Sequence, residues 1–434
     1  MRRRGARRQR GAAQLSLTVR ATVRRESVDE LRKVLERMGG REAGAPILPF
    51  AQLAGVHFAR LLLLEDSTDL DEEPIPASLV WMSDIDAPLE RHLDQLVDIG
   101  GPGLDATFGL CDGYPADPTA ETRRAYLLER YVESAANYVN TVGRTVDQIH
   151  REAELREAIE DFLDRRRVHD GLPADPVELR SEIQRFVRSE ACLAWATRRA
   201  PRPGLRWRLG ELGHVLGTTV VLALVAPLAL ALLPIYAIVL RLHERADRSP
   251  HVHPTPEHEQ RLAAIEDHVT QNQFSAIGYV KPGRFRRLTT QAVLWLTDIA
   301  ARHVFSRASL AGIVTIHFAH WTVLDDWRRI VFTSNYDGSH ESYMDDFIDK
   351  VAFGLNASFS NGVGYPKTRF LLFEGARHEQ EFKDWQRFHQ IPTQVWYSAY
   401  EKLTALNVEN NALIRSGLFG TLATADTEAW LRRL

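Results

Sequence analysis

Residues 53–59 read LAGVHFA, and residues 310–319 read LAGIVTIHFA, the same phrase with three residues inserted. Each phrase runs into an apolar segment that ends in two acids, Glu65-Asp66 and Asp325-Asp326. From there the correspondence holds at one constant offset. Leu79 matches Ile330, Trp81 Phe332, Ser83 Ser334, Asp86 Asp337, Asp94 Asp345, Val97 Ile348 and Leu104 Leu355, and Gly113-Tyr114-Pro115 returns as Gly364-Tyr365-Pro366. Chance does not readily give such a string, so the chain carries an internal duplication.

The hydrophobic periods around each phrase say what is duplicated. In QLSLTVRATVR (14–24), Leu15, Leu17, Val19, Ala21 and Val23 alternate with polar residues, the period of a half-buried strand. Ser27 and Glu30 form a capping-box pattern. Val28, Leu31, Val34, Leu35 and Met38 follow at helical spacing, until Gly39-Gly40 stops the run. Strands over 56–64 and 78–82 and a helix over 88–96 complete the order βαββα. In the second copy, residues 274–280 and RFRRLTTQAVLWLTDIAA (284–301) supply the first strand and helix, and residues 137–156 and 394–414 are weaker downstream counterparts.

Two βαββα units, each with a closing strand, predict an α+β fold of two ferredoxin-like repeats packed as an α+β barrel. On the order of elements the halves resemble the dimeric α+β-barrel superfamily, in which two such sheets pack face to face. The resemblance covers residues 14–115 and 274–400. It implies a ligand pocket, and haem is one candidate cofactor, since chlorite-dismutase-like and dye-decolorizing peroxidases of that superfamily bind it. An oxidoreductase of the peroxidase type is the activity this implies. The chain has no assignable proximal histidine, so the resemblance places haem on no residue.

Between the copies, residues 215–240 read VLGTTVVLALVAPLALALLPIYAIVL, without one charged residue in a chain that is 26% charged. One helix of this length extends about 39 Å, more than the roughly 30 Å of a bilayer's hydrocarbon core. Arginines on both flanks give no inside/outside asymmetry. Copies that pair within one chain must lie on the same side of the membrane. The reading favoured is a monotopic hairpin bent at Pro227 and Pro234, with both soluble halves cytoplasmic at the inner membrane. The alternative is a crossing segment whose copies pair in a homodimer. The domain plan is a basic arm (1–13), repeat one with a helical extension (14–160), a helical insertion (161–271), repeat two (272–420) and a C-terminal tail (421–434).

The net charge of -3 shows no basic excess of the kind that marks nucleic-acid binders. The exception is Arg2, Arg3, Arg4, Arg7, Arg8 and Arg10, an arm suited to anionic lipid. Two cysteines make no disulfide framework or zinc site. No Walker loop, GxGxxG, GxSxG, HExxH or CxxC is present.

His57 and His317 occupy matched strand positions and suit a pair of ligands or proton carriers facing each other. His320, three residues after His317, is expected on the opposite face. Asp86 and Asp337, shared by both copies, read as helix N-caps. The second copy alone has Asn335, Tyr336, His340 and Glu341 in its strand-to-helix junction. With His317 these are the candidate catalytic or binding residues, joined by Asp337 and by Trp396 and Tyr397 from QVWYSAY. On a strand, Trp396, Ser398 and Tyr400 share one face. His251, His253 and His258 lie in or beside a Pro-rich linker and are read as having no acidic or thiol partners, so no metal is expected there. Two functions compete: a membrane-bound protein that takes a small lipophilic molecule or haem into a pocket of the second repeat, or a non-catalytic scaffold at the membrane surface whose charged helices (121–168) recruit partners.

Overall fold

The strand alternation of residues 14–24 becomes β1 (Gln14–Thr22) in the computed structural model, which describes residues 13–39, 47–169, 171–198, 204–305 and 309–434. The N-terminal arginines lie outside the described residues. β1 is followed by α1 (Val28–Gly39), entered through a 3-10 turn, then β2 (Val56–Leu64), β3 (Ser78–Asp86), α2 (Leu89–Asp98), α3 (Gly101–Phe108), α4 (Ala120–Glu129) and β4 (Ser134–Val139). The insertion supplies α5 (Val146–His169), α6 (Pro176–Ser189), α7 (Leu205–Ala246) and α8 (Pro256–Ala263). The second half runs β5 (Gln271–Tyr279), α9 (Arg284–His303), β6 (Ile316–Leu324), β7 (Arg329–Asp337), α10 (His340–Phe359), α11 (Glu379–His389), β8 (Val395–Ser398), α12 (Ala405–Ser416) and α13 (Thr424–Leu431).

The protein is a mixture of helix and antiparallel sheet. Two four-stranded sheets have the orders β1-β3-β2-β8 and β5-β7-β6-β4. Each therefore ends in a strand from the other half: β8 pairs with β2 (Trp396 opposite Arg60), and β4 pairs with β6 (Asn137 opposite His320). One face of each sheet is covered by its own helices. Leu17, Leu61, Leu79 and Trp81 pack with Leu93, Leu96, Leu104 and Phe108. Phe274, Trp321 and Phe332 pack with Met344, Phe347 and Leu355. The other faces meet each other, Leu62, Leu64, Val80 and Met82 against Leu324 and Val331, and Phe58 against Phe318 with ring centres 5.7 Å apart. Burying one such side chain is worth about 1.5–3 kcal/mol, so this shared layer holds the halves together.

The insertion and the C-terminus build a third core, in which Leu155 and Ile159 of α5, Ile183 and Val187 of α6, Ile414 of α12 and Trp430 of α13 are buried together. Residues 421–434 are thus no tail: α13 closes this cluster, and Trp430 Nε1 donates to the carbonyl of Ile414 at 2.9 Å.

The apolar stretch departs from the hairpin expectation. Residues 205–246 form one continuous helix with Pro227 and Pro234 inside it, and one candidate span, Trp207–Ala246, is long and apolar enough to cross a membrane. Each proline removes a single internal hydrogen bond, while reversing the chain needs turn residues, and residues 218–240 contain no Gly, Asn, Asp or Ser. Both ends of α7 are tied to the second half. Glu211 pairs with Arg302 and His214 meets His303 at 2.7 Å; at the other end His243 stacks on Phe285 at 4.8 Å, and Asp247 pairs with Lys281 and Arg286 at 2.8 and 2.6 Å. Between these ties, residues 219–235 are exposed on all sides.

Candidate functional site

The polar residues of the candidate set are gathered where the two sheets face each other. A bulge in β2 between Val56 and Phe58, and its twin in β6 between Ile316 and Phe318, reset the strand alternation. His57 and His317 therefore turn onto the faces of Phe58 and Phe318: the His57 ring lies 5.3 Å from that of Phe318, and the His317 ring 5.3 Å from that of Phe58. The same bulge corrects the expectation for His320, which shares the inner face with His317 because the extra residue restores the phase.

Each half repeats one arrangement. His57 Nε2 lies 3.1 Å from Asp86 Oδ1, and the other oxygen of Asp86 accepts from the backbone N–H of Val146 at 3.1 Å. His317 Nε2 lies 2.8 Å from Asp337 Oδ1, and Asp337 Oδ2 accepts from the N–H of Ala405 at 2.7 Å. The aspartates do cap helices, but the helices are α5 and α12, which follow the exchanged strands. Ser339 caps α10 through the N–H of Ser342, and Pro88 precedes α2. Gln14 and Gln271 complete the pattern, each donating to backbone carbonyls (Arg144 at 2.8 Å; Leu403 at 2.6 Å) just before the capped helix. Tyr400 sits between the two histidines, its hydroxyl 2.9 Å from His57 Nδ1 and its ring centre 5.9 Å from that of His317.

Deeper in the seam the halves differ. Arg60, fully enclosed, donates to the carbonyls of Phe274 at 2.7 Å and Ser334 at 3.0 Å, to Ser275 Oγ at 2.9 Å and to Asn335 Oδ1. Trp396 Nε1 donates to the same Asn335 oxygen at 3.0 Å, and Asn335 Nδ2 donates to Asp84 at 3.3 Å. Burial pushes the Arg60 guanidinium down to about 10, with Asp84 opposing the shift. His320, the counterpart of Arg60, has Nδ1 2.7 Å from Asn137 Oδ1 and Nε2 2.6 Å from Asp84 Oδ1, the latter without hydrogen-bond alignment. The seam therefore joins Arg60, Asn335, Asp84 and His320 across the two sheets. Sequence reasoning passed over Arg60 and Asp84; the available signal was a lone cation inside the apolar run VHFARLLLL.

Five of the nine candidates, His57, His317, Asn335, Asp337 and Trp396, meet in this seam. The other four do not. Tyr336 points to the helix-covered face and stacks on Tyr343, ring centres 3.8 Å apart. His340 is buried on that side, beside Phe274 at 6.2 Å between ring centres, and burial together with Arg387 pushes it down to about 3. Tyr397 stacks on Phe50 in the core of the first half. Glu341 is a surface residue, its side chain 68% exposed, in a loose pair with Lys383 at 3.5 Å. The strand period alone separates Asn335 from Tyr336, and the exposed first turn of α10 carries Glu341 outward.

Neither of the two cavities described here is lined by the seam. One is a polar cleft where Arg20, Arg130, Asp69, Asp325 and Arg328 meet, its charges largely paired with one another. The other lies in the second half between the helix-covered face of β5 and β7 and helices α10 and α11. It encloses about 70 Å³, is partly open to solvent, and is walled by Phe274, Phe332, Met344, Phe347, Trp385 and His389. His389 faces the carbonyls of Ile277, at 3.0 Å, and Val363, and burial lowers its pKa, which favours a neutral ring. The cavity's apolar walls with few polar groups are those of a site for a small apolar group. Compared with known protein families, characterised proteins and solved structures, the chain matches none.

Proposed function

We propose that the chain is a membrane-bound protein in which two ferredoxin-like repeats, closed into an α+β barrel by exchange of β4 and β8, carry a site for a small lipophilic molecule in the second repeat. The apolar cavity behind β5 and β7 carries this reading. Thr290 of α9 forms part of its wall, and α9 is the helix to which both ends of α7 are tied, so a lipid-soluble ligand has a short path from the bilayer. In this reading α7 lies in the cytoplasmic membrane with both halves on the cytoplasmic side; the docking of its two ends on one body supports a shared side. The sheet-to-sheet seam is the register device of the barrel. Arg60, Asn335, Asp84 and Trp396 answer one another across it.

Haem does not fit the residues present. His317 is engaged by Asp337 and packed between Phe58 and Tyr400, and the one histidine in the cavity wall has its ring nitrogens against backbone carbonyls. No histidine is therefore offered to the cavity as an axial ligand among the described residues, and about 70 Å³ is too little for a porphyrin.

The test is mass spectrometry of organic extracts from detergent-purified protein, wild type against Ala276→Leu/Gly278→Leu, which fills the strand side of the cavity. A Cβ at Gly278 meets only the His389 ring, at 3.7 Å, so the change is tolerable. One enriched lipophilic compound in the wild type and its loss in the variant is the expected outcome. A wild type with no enriched compound leaves the scaffold reading in its place. For location, Leu224→Arg/Leu230→Arg is expected to release the protein from carbonate-washed membranes, because each residue is exposed in mid-helix.

A further inference from the structure

The linker that leaves α7 reads Ser249-Pro250-His251-Val252-His253-Pro254, and in extended backbone residues two apart point the same way. His251 and His253 do so here, their ring centres 4.1 Å apart, while Val252 between them packs onto the core of the second half. Both rings aim a nitrogen at one atom: His251 Nε2 and His253 Nδ1 each lie 2.8 Å from Asp384 Oδ2, on α11. The three ligand atoms all lie within 4.8 Å of one another. The second oxygen of Asp384 accepts from Gln380 Nε2 at 2.7 Å, which fixes the carboxylate with Oδ2 turned to the histidines. Two linker histidines and the carboxylate of a distant helix thus converge through chelating atoms, and the absence of an acidic partner expected for this linker is corrected by the fold.

We propose that His251, His253 and Asp384 bind one divalent transition-metal ion, of the Zn²⁺ class, which fastens the linker leaving the apolar helix to α11. Zn–N and Zn–O bonds of about 2.0–2.1 Å in a tetrahedron hold ligand atoms roughly 3.3 Å apart. The present separations of 2.8 Å need an opening of about half an ångström, and His253, whose side chain is 67% exposed, is free to supply it. The ion replaces the N–H protons that otherwise bridge the rings to a single oxygen, and its remaining coordination position opens to water. Carboxylate plus two imidazoles is a donor set for Zn²⁺, Co²⁺ or Ni²⁺ and a poor one for Mg²⁺ or Ca²⁺.

The test uses full-length, tag-free protein in detergent, stripped with chelator and titrated with Zn²⁺ against a chromophoric competitor, with Co²⁺ absorption as a second readout. One ion per chain is expected. His251→Ala, His253→Ala and Asp384→Asn should each weaken binding by about tenfold or more, whereas His258→Ala should not, because His258 is turned to the carbonyl of Arg387. Zn²⁺ should also slow protease cleavage within residues 247–255 of the wild type and not of His253→Ala. These side chains are at or near the surface, so circular dichroism should match across the set. Uptake by the wild type no greater than by the His251→Ala/His253→Ala double variant, or equal protection of the linker in both, would overturn the proposal.

Discussion

The two halves share a plan of strands and helices, yet the first has a filled core where the second has a cavity. At equivalent helix positions the second half has a flexible thioether and a ring for leucines, Met344 for Leu93 and Phe347 for Leu96, while on the third strand Phe332 stands for the larger Trp81. On the first strand, too, side chains shrink. The positions of Val19 and Ala21, counted from the glutamines that open β1 and β5, are Ala276 and Gly278. Side-chain volume has moved from strand to helix, and the space beside Gly278 lines the cavity. Backbone order follows from hydrophobic period, which both halves keep; whether a core closes depends on a few methyl groups, which they do not share.

The largest effect is expected where the halves meet. Arg60→Ala removes four hydrogen bonds at once and leaves Asp84 and Asn335 buried with fewer partners. A loss of about 3–5 kcal/mol is expected for breaking a buried ionic network from one side. His320→Ala, at the matching position of the second half, breaks fewer contacts and should cost less. Urea denaturation of both variants measures this, and equal losses would show that the seam is energetically symmetric despite its chemistry.

Next come Leu104→Ala and its counterpart Leu355→Ala. Leu104 is 0% exposed in a closed core, so its truncation should cost about 2–5 kcal/mol, transfer plus new cavity. Leu355 already borders empty space and has fewer neighbours to lose, so its truncation should cost less. Equal costs would mean that the second core closes in solution, and the ligand reading would lose its support.

Much of this was legible in the sequence. Periods of two and of 3.6 mark β1, α1, β2 and their second-half counterparts, and the repeated LAG…HFA phrase pairs them. The fourth strands were faint because β8 spans four residues and β4 six, and each pairs with the other half, which no local pattern records. Site residues were less legible than strands. Asn335 and Tyr336 are adjacent in sequence and end in different layers, and the bulges at His57 and His317 reverse the face that alternation assigns. Prolines 227 and 234 suggested a bend, but a run without Gly, Asn, Asp or Ser to reverse the chain stays helical. The convergence of His251 and His253 on Asp384 joins residues of a linker to a distant helix and has no sequence signature beyond the HVH spacing.

Acid should unfold both halves, through different histidines. Burial pushes His92 of the first half down to about 4, and burial with Arg387 pushes His340 of the second half down to about 3. Both lie below the ordinary value near 6.5, so between those limits the unfolded chain binds the proton and the folded chain resists it. Each group therefore gives full stability above about pH 6.5 and loses about 1.4 kcal/mol per pH unit below it, levelling near pH 4 for His92 and near pH 3 for His340. His92→Tyr copies Tyr343, whose hydroxyl meets Ser334 at 2.5 Å much as His92 Nε2 meets Ser83 at 3.3 Å. This variant should roughly halve the slope between pH 6.5 and 4 and leave the remaining loss, down to about pH 3, to His340. An unchanged profile would place the acid sensitivity elsewhere.

The smallest effect is expected at Glu341, and it separates a solvated helix turn from a working site. Glu341 and its first-half counterpart Glu90 are both exposed on the first turn of their helices, where a carboxylate is favoured by the helix dipole alone. Its partner Lys383 is held more closely by Asp345 at 2.7 Å and Glu379 at 2.8 Å, and these two carboxylates keep the ammonium well above its usual range. Removing Glu341 therefore leaves Lys383 paired. Glu341→Gln and Glu90→Gln should each change stability by less than about 0.5 kcal/mol, an effect that 0.5 M salt should erase. Neither should alter the lipophilic compound recovered from purified protein. A selective loss of that compound in Glu341→Gln would instead bring this carboxylate into the ligand site and break the equivalence of the two helix starts.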